Sequence, residues 1–201
     1  MRTLIAVPCM DMVQTLFMTS LLSLRRQEDD QVMVCTHSLI YDARNILAQK
    51  AKIGGYDRIL WLDSDMVFGP DLLEKLSADL DTGLDMVCAV YFTRKNPVKP
   101  CAYEALEVID GQPTSKSVSE IPDGLFEIEG CGFGAVLMNT SIFGKLDELP
   151  FSPIYGWGED LTFCLRAKEA GFRIWCDGRV KIGHAGISII DESTWLGAKA
   201  R

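Results

Sequence analysis

Tyr56-Asp57-Arg58-Ile59-Leu60-Trp61-Leu62-Asp63-Ser64-Asp65 runs from a short apolar segment straight into two aspartates one residue apart. An apolar run of this length, bounded by polar residues and flanked by helix-like segments, reads as a strand buried on both faces of a parallel sheet. Open α/β sheets bind their ligands outside the carboxyl ends of the strands. An Asp-x-Asp at that edge offers hard oxygen donors of the kind magnesium or manganese takes. A second copy, Asp79-Leu80-Asp81, ends an amphipathic helix and reads as solvated surface. Context, not the motif alone, therefore singles out Asp63 and Asp65, as metal ligands or as a turn or helix-capping pair ahead of Pro70.

Upstream, residues 3–8 and 31–36 read as strands. Met12, Val13, Leu16, Phe17, Leu21 and Leu24 recur at helical spacing and predict a helix over 12–26. A second helix over 41–53 ends at Gly54-Gly55, where glycine suits the left-handed turn after a last helical residue. Downstream, a helix over 70–80 starts near Pro70, and a fourth strand covers 85–91. This alternation predicts an α/β fold, a three-layer α/β/α sandwich with a mostly parallel central sheet. After Thr93 the polar, proline-punctuated Arg94-Lys95-Asn96-Pro97-Val98-Lys99-Pro100 opens an excursion over 94–129. It carries short strands near 101–109 and 124–129 with a turn at Gly111-Gln112-Pro113. A strand at 135–138, a short helix from Ser141, a helix over 159–170 and strands at 173–176 and 180–182 complete the expected order.

The chain has 201 residues, 48% apolar and 24% charged, which fits one globular domain over 1–201. A net charge of −8 leaves no cationic face for nonspecific nucleic-acid or anionic-membrane binding. The seven cysteines form no CxxC pair and read as buried apolar residues in a reducing compartment. No signal peptide pattern is present, and no stretch approaches the roughly 18 apolar residues of a membrane helix. A soluble, cytoplasmic protein is the expectation.

Four further groups could carry chemistry. Glu159-Asp160 follows Tyr155-Gly156-Trp157-Gly158 and opens a helix. Acids in a first turn are favoured by the macrodipole without any function, or one of them deprotonates or orients an acceptor hydroxyl. His184 lies between glycines after a short strand and is a metal ligand or, taken alone, more simply a structural histidine; His37 reads as a loop residue. Arg44 and Asn45 lie on the helix before the third strand, either on a solvated face or with the guanidinium near a phosphate or an aspartate of the site. Gly130, Gly132 and Gly134 make no GxGxxG fingerprint, and no Walker sequence or GxSxG occurs.

Taken in order, Ile5-Ala6-Val7-Pro8, Ala43-Arg44-Asn45, the segment 56–65, Gly130-Cys131-Gly132-Phe133-Gly134-Ala135, Gly156-Trp157-Gly158-Glu159-Asp160-Leu161 and His184 resemble nucleotide-sugar glycosyltransferases of the GT-A fold, family 2-like. The resemblance implies that Asp63 and Asp65 hold a divalent ion, Mn2+ or Mg2+, on the donor diphosphate and that His184 completes the metal site. It implies that Asp160, with Glu159 beside it, is the base of an inverting transfer or positions the acceptor of a retaining one. Pro8, Cys9 and Met10 match the loop cradling the nucleotide base, and Arg44, Ser64, Gly132 and Trp157 are expected at the donor site, with Lys181 or Arg179 assisting.

By the same resemblance, residues 1–93 are the nucleotide-binding half and 94–201 the acceptor-side half. The expected partners are a nucleoside-diphosphate sugar, most simply a UDP-sugar, and a hydroxyl acceptor that could be a glycan, a lipid-linked sugar, a protein or a small molecule. Two alternatives are a nucleotide-sugar-binding module without turnover and a nucleotidyltransferase. The latter usually carries a Gly-rich, Lys/Arg-containing loop after its first strand, which Pro8-Cys9-Met10-Asp11 is not.

Overall fold

The computed structural model describes residues 1–154 and 156–186. The first half alternates β1 (Thr3–Pro8), α1 (Thr15–Ser23), β2 (Gln31–Cys35), α2 (Ile40–Ile53), β3 (Arg58–Leu62), the short β4 (Met66–Val67), α3 (Leu72–Leu80) and β5 (Met86–Val90). The second half continues with β6 (Ala102–Ile109), β7 (Gln112–Ser117), β8 (Leu125–Ile128), β9 (Gly130–Cys131), β10 (Ala135–Asn139) and a 3-10 turn (Thr140–Gly144). It ends in α4 (Glu159–Glu169), β11 (Ile174–Lys181) and β12 (Gly183–His184).

Alternate residues of a strand face opposite sides, and here both sides are apolar. Leu4, Ala6, Ile59, Trp61, Met86, Cys88, Val136 and Met138 pack with Leu47 and Ala51 of α2 and Phe163 and Ala167 of α4. Their neighbours Ile5, Val7, Leu60, Leu62, Val87, Ala89 and Leu137 pack with Phe17 and Leu21 of α1 and Leu72, Leu73 and Leu76 of α3. Two cores thus sandwich one seven-stranded sheet, ordered β2-β1-β3-β10-β5-β11-β8. Parallel pairing joins β1 to β2 and β3, and β5 to β11; β10 runs antiparallel between β3 and β5, and β8 antiparallel along β11. The remaining excursion forms the three-stranded sheet β7-β6-β9. No helix among the described residues is long and apolar enough to cross a membrane.

Several local expectations are corrected. The first helix spans only Thr15–Ser23, and Met12 and Leu16 are 84% and 57% exposed, whereas Phe17, Leu21 and Leu24 are buried in the core and Val13 packs against it. The polar Gln112–Ser117 is a strand after all, paired to β6 across the turn at Asp110-Gly111, both at positive φ. The two late strands are one, β11, whose register shifts between Asp177 and Lys181. The shift brings Gly178 so near the Pro122 carbonyl oxygen that a Cβ would stand 1.8 Å from it. Asp79 is not solvated: it is buried, accepts from Arg179 Nη2 at 3.0 Å, and is pushed up to about 6 by burial and by Asp177 beside it. Its partners lie about a hundred residues along the chain, beyond the reach of helical periodicity.

Candidate functional site

The strand order reverses between β1 and β3, since β2 lies on one side of β1 and β3 on the other. A cleft of about 350 Å³ opens at the carboxyl ends of these two strands, the place where such sheets leave room for a ligand. Pro8, Cys9 and Met10 form one wall. The loop carrying them is laced to β2, with the Cys9 N–H donating to the Cys35 carbonyl at 2.9 Å and the His37 N–H to that of Met10 at 3.1 Å. Asp63, Ser64 and Asp65 form the floor, and Arg44, Arg94, Glu159 and His184 close it. A larger cavity, about 550 Å³, lies at the opposite sheet edge around Thr3 and Arg58. There Arg25 pairs with Glu74 and Arg58 with Asp81.

Each acid is aimed by the strand or helix it ends. β3 is wholly buried, so Asp63 is the first side chain able to leave the core. The Met66 N–H donates to the Asp63 carbonyl at 3.1 Å and turns the chain sharply. β4 then pairs antiparallel with β12, His184 opposite Met66, and the Ala185 N–H donates to the Asp65 carbonyl at 2.8 Å. That pairing brings residue 184 beside residue 65.

Arg44, on the inner face of α2, is only 1% exposed. Its Nη2 donates to Asp63 Oδ1 at 2.7 Å and its Nε to Glu159 Oε1 at 3.2 Å, while the guanidinium lies over Phe133, 5.2 Å from the ring centre. Burial works against its charge, yet Asp63 and Glu159 outweigh that and hold it firmly protonated. Burial likewise pushes the Asp63 carboxyl up, with Arg44 opposing. Asn45 braces the same region from behind, its Oδ1 accepting the Phe151 N–H at 3.0 Å.

Glu159 and Asp160 form the first turn of α4. Glu159 is committed to Arg44, whereas Asp160, among the described residues, accepts only the N–H of Leu161, at 2.7 Å. Burial, then the charge of Glu159, push Asp160 up to about 6. A carboxylate tuned in this way ionises near neutrality and can accept a proton there.

His184 Nδ1 lies 2.8 Å from the Phe92 carbonyl oxygen, so in the neutral ring the proton sits on Nδ1 and Nε2 carries a lone pair. That Nε2 faces Asp65 Oδ2 at 3.4 Å. Two acceptors so placed call for a proton or a cation between them, and a carboxylate with an imidazole suits manganese or magnesium. The residues therefore fit a divalent ion. Among the described residues no cluster of three such ligands is preassembled, because Asp63 turns its Oδ1 to Arg44.

Other expected site residues lie elsewhere. Gly132, Trp157 and Asp160 do not line the cleft, although Asp160 lies near enough to feel the charges of Glu159, Arg44 and Asp63; Trp157 is buried, and Tyr155 is outside the described residues. Gly132 seats Tyr91: a Cβ there would come 1.9 Å from the Tyr91 hydroxyl oxygen. The Tyr91 ring in turn stands edge-on to His184, 5.4 Å between centres. Gly132→Ala is expected to cost about 1–3 kcal/mol by overpacking, read as a lowered denaturation midpoint. Arg179 is occupied by Asp177 and Asp79, and Lys181 is not at the cleft. Arg94 was not anticipated. It sits in a polar loop with no motif, and only its place just after β5, at the same sheet edge, could have pointed to it.

No family model matches the sequence, and no curated protein is similar to it by sequence. By structure the chain is similar to the crystal structure of A197 from STIV, with a TM-score of 0.72 and 25% identity, covering 96% of this chain and 87% of that one. It is also similar to a crystal structure of GalNAc-T7 with UDP, GalNAc and Mn2+, with a TM-score of 0.65 and 11% identity, covering 91% of this chain and 43% of that one. The chain thus spans less than half the length of the GalNAc-T7 structure. The GT-A-like, mostly parallel α/β fold expected from the sequence is the fold observed, a glycosyltransferase-like one.

Proposed function

We propose that the chain is a metal-dependent glycosyltransferase that moves a sugar from a nucleoside diphosphate, most simply UDP, to an acceptor hydroxyl. One observation carries this reading. Asp65 with His184, and Asp63 with Arg44 and Glu159, converge on a single cleft at the strand-order reversal. A chain of net charge −8 brings a diphosphate up to such carboxylates only with a cation between them. The fold shared with a protein solved with UDP, GalNAc and Mn2+ agrees with that ligand class.

In this reading Asp65 and His184 would hold the divalent ion, and Asp63, fixed by Arg44, would orient the donor beside it. When bound, the ion supplies Lewis-acid stabilisation of the charge on the leaving diphosphate. Pro8, Cys9 and Met10 receive the base. Asp160 takes the proton of the acceptor hydroxyl as that oxygen bonds the anomeric carbon. The bond from that carbon to the diphosphate breaks, and the diphosphate leaves with its electron pair.

Calorimetric titration of UDP tests the proposal. Binding is expected with manganese and not with a chelator, and Asp65→Ala is expected to lose the manganese-dependent part while keeping its melting temperature. Equal UDP affinity in the variant overturns the reading. Slow hydrolysis of a UDP-sugar by the wild type separates a transferase from a binding module, which shows none.

A further inference from the structure

Asp65 carries two partners on one oxygen. Besides His184 Nε2, Arg94 Nη1 stands 3.1 Å from the same Oδ2. Arg94 Nη1 also donates to the Ala185 carbonyl at 2.7 Å, so the guanidinium bridges the carboxylate to the residue just after His184. It does so from a side chain that is 48% exposed and lines the cleft. The backbone below it is pinned. The Thr93 N–H donates to the Lys99 carbonyl at 2.8 Å, and the Lys99 N–H returns a bond to Thr93 Oγ1 at 3.1 Å. Arg94 therefore stands at the base of a pinched loop, its half-exposed guanidinium held by one carboxylate oxygen and one backbone carbonyl. Arg44 is the opposite case, buried and held by two acids.

We infer that Arg94 is a displaceable counter-ion. Its guanidinium neutralises Asp65 Oδ2 while no divalent ion is bound, yields that oxygen when the ion arrives, and turns into the cleft to meet the donor diphosphate. The inference rests on the metal-site reading above. It adds that one side chain opposes the ion when the ion binds alone and supports the nucleotide when both bind, which makes the two ligands favour each other's binding. An exposed ion pair is weak, so the opposition is small, about two- to fivefold in affinity.

Calorimetric titration of manganese into wild type, Arg94→Ala, Arg94→Gln and Asp65→Ala tests this, followed by UDP at saturating manganese. Both Arg94 variants are expected to bind manganese alone more tightly and UDP more weakly than wild type. The two substitutions guard against one of them failing to fold. Asp65-dependent manganese binding that is unchanged or weaker in both Arg94 variants overturns this inference alone, as does unchanged UDP affinity. Absence of Asp65-dependent manganese binding in the wild type overturns the site reading and this inference together.

Discussion

Arg44→Met is expected to lower the unfolding free energy by about 3–5 kcal/mol, the usual cost of removing one partner of a buried ion pair. The guanidinium is shielded from water and serves two carboxylates on different elements, Asp63 at the end of β3 and Glu159 at the start of α4. Methionine fills much of the volume between Trp61 and Phe133 but leaves both acids facing each other uncompensated. The Asp63 carboxyl, already pushed up by burial, then rises further. A raised folded pKa means stability present below the unfolded value and lost as pH climbs through the folded one, so the deficit is expected to be larger at pH 7 than at pH 4. Urea midpoints at the two pH values check this. Arg44→Lys is expected to recover only part of the loss, since an ammonium cannot reproduce the planar fork that reaches two acids at once.

Asp160→Asn is expected to lower the transfer rate by about 10²- to 10⁴-fold, the span typical of a lost general base, with UDP binding kept. In wild type the base must be ionised, so kcat/KM falls as pH drops through about 6, the value to which burial and Glu159 push this carboxyl. The same shift carries a stability consequence of opposite sense. Ionised Asp160 is disfavoured in the folded state, so its contribution fades as pH rises from the ordinary carboxylate range through about 6. The Asn variant does not share that decline. A variant with a normal rate, or a wild-type profile flat from pH 5 to 8, removes Asp160 from the mechanism.

The sequence made some of this readable and hid the rest for identifiable reasons. Asp63 and Asp65 could be found because a wholly apolar strand ends on them, and because the copy at 79–81 offered a contrast. That contrast misled about Asp79, whose burial depends on Arg179 from β11. Arg44 is open to two readings in the sequence because helical spacing tells which face is polar and not which polar residue is enclosed. The triplet of small residues at 130–134 stood out, but its purpose at 132 is to admit Tyr91 behind His184. Arg94 had no local signature at all: its partner is 29 positions away, and a loop of Lys, Asn and Pro looks like any solvated connection.

The antiparallel strand β10 lies between β3 and β5, which are not themselves neighbours. The chain therefore cannot be split near residue 93 into two self-sufficient pieces, since the first would keep both flanks of a gap and lack the strand that fills it. On a ribosome, β3 waits with one edge unsatisfied until residue 139 has emerged, and the Asp63 N–H waits for its partner, the Gly134 carbonyl at 3.2 Å. The loop carrying Asp63 and Asp65 thus takes its final shape only after residues 94–139 have been synthesised.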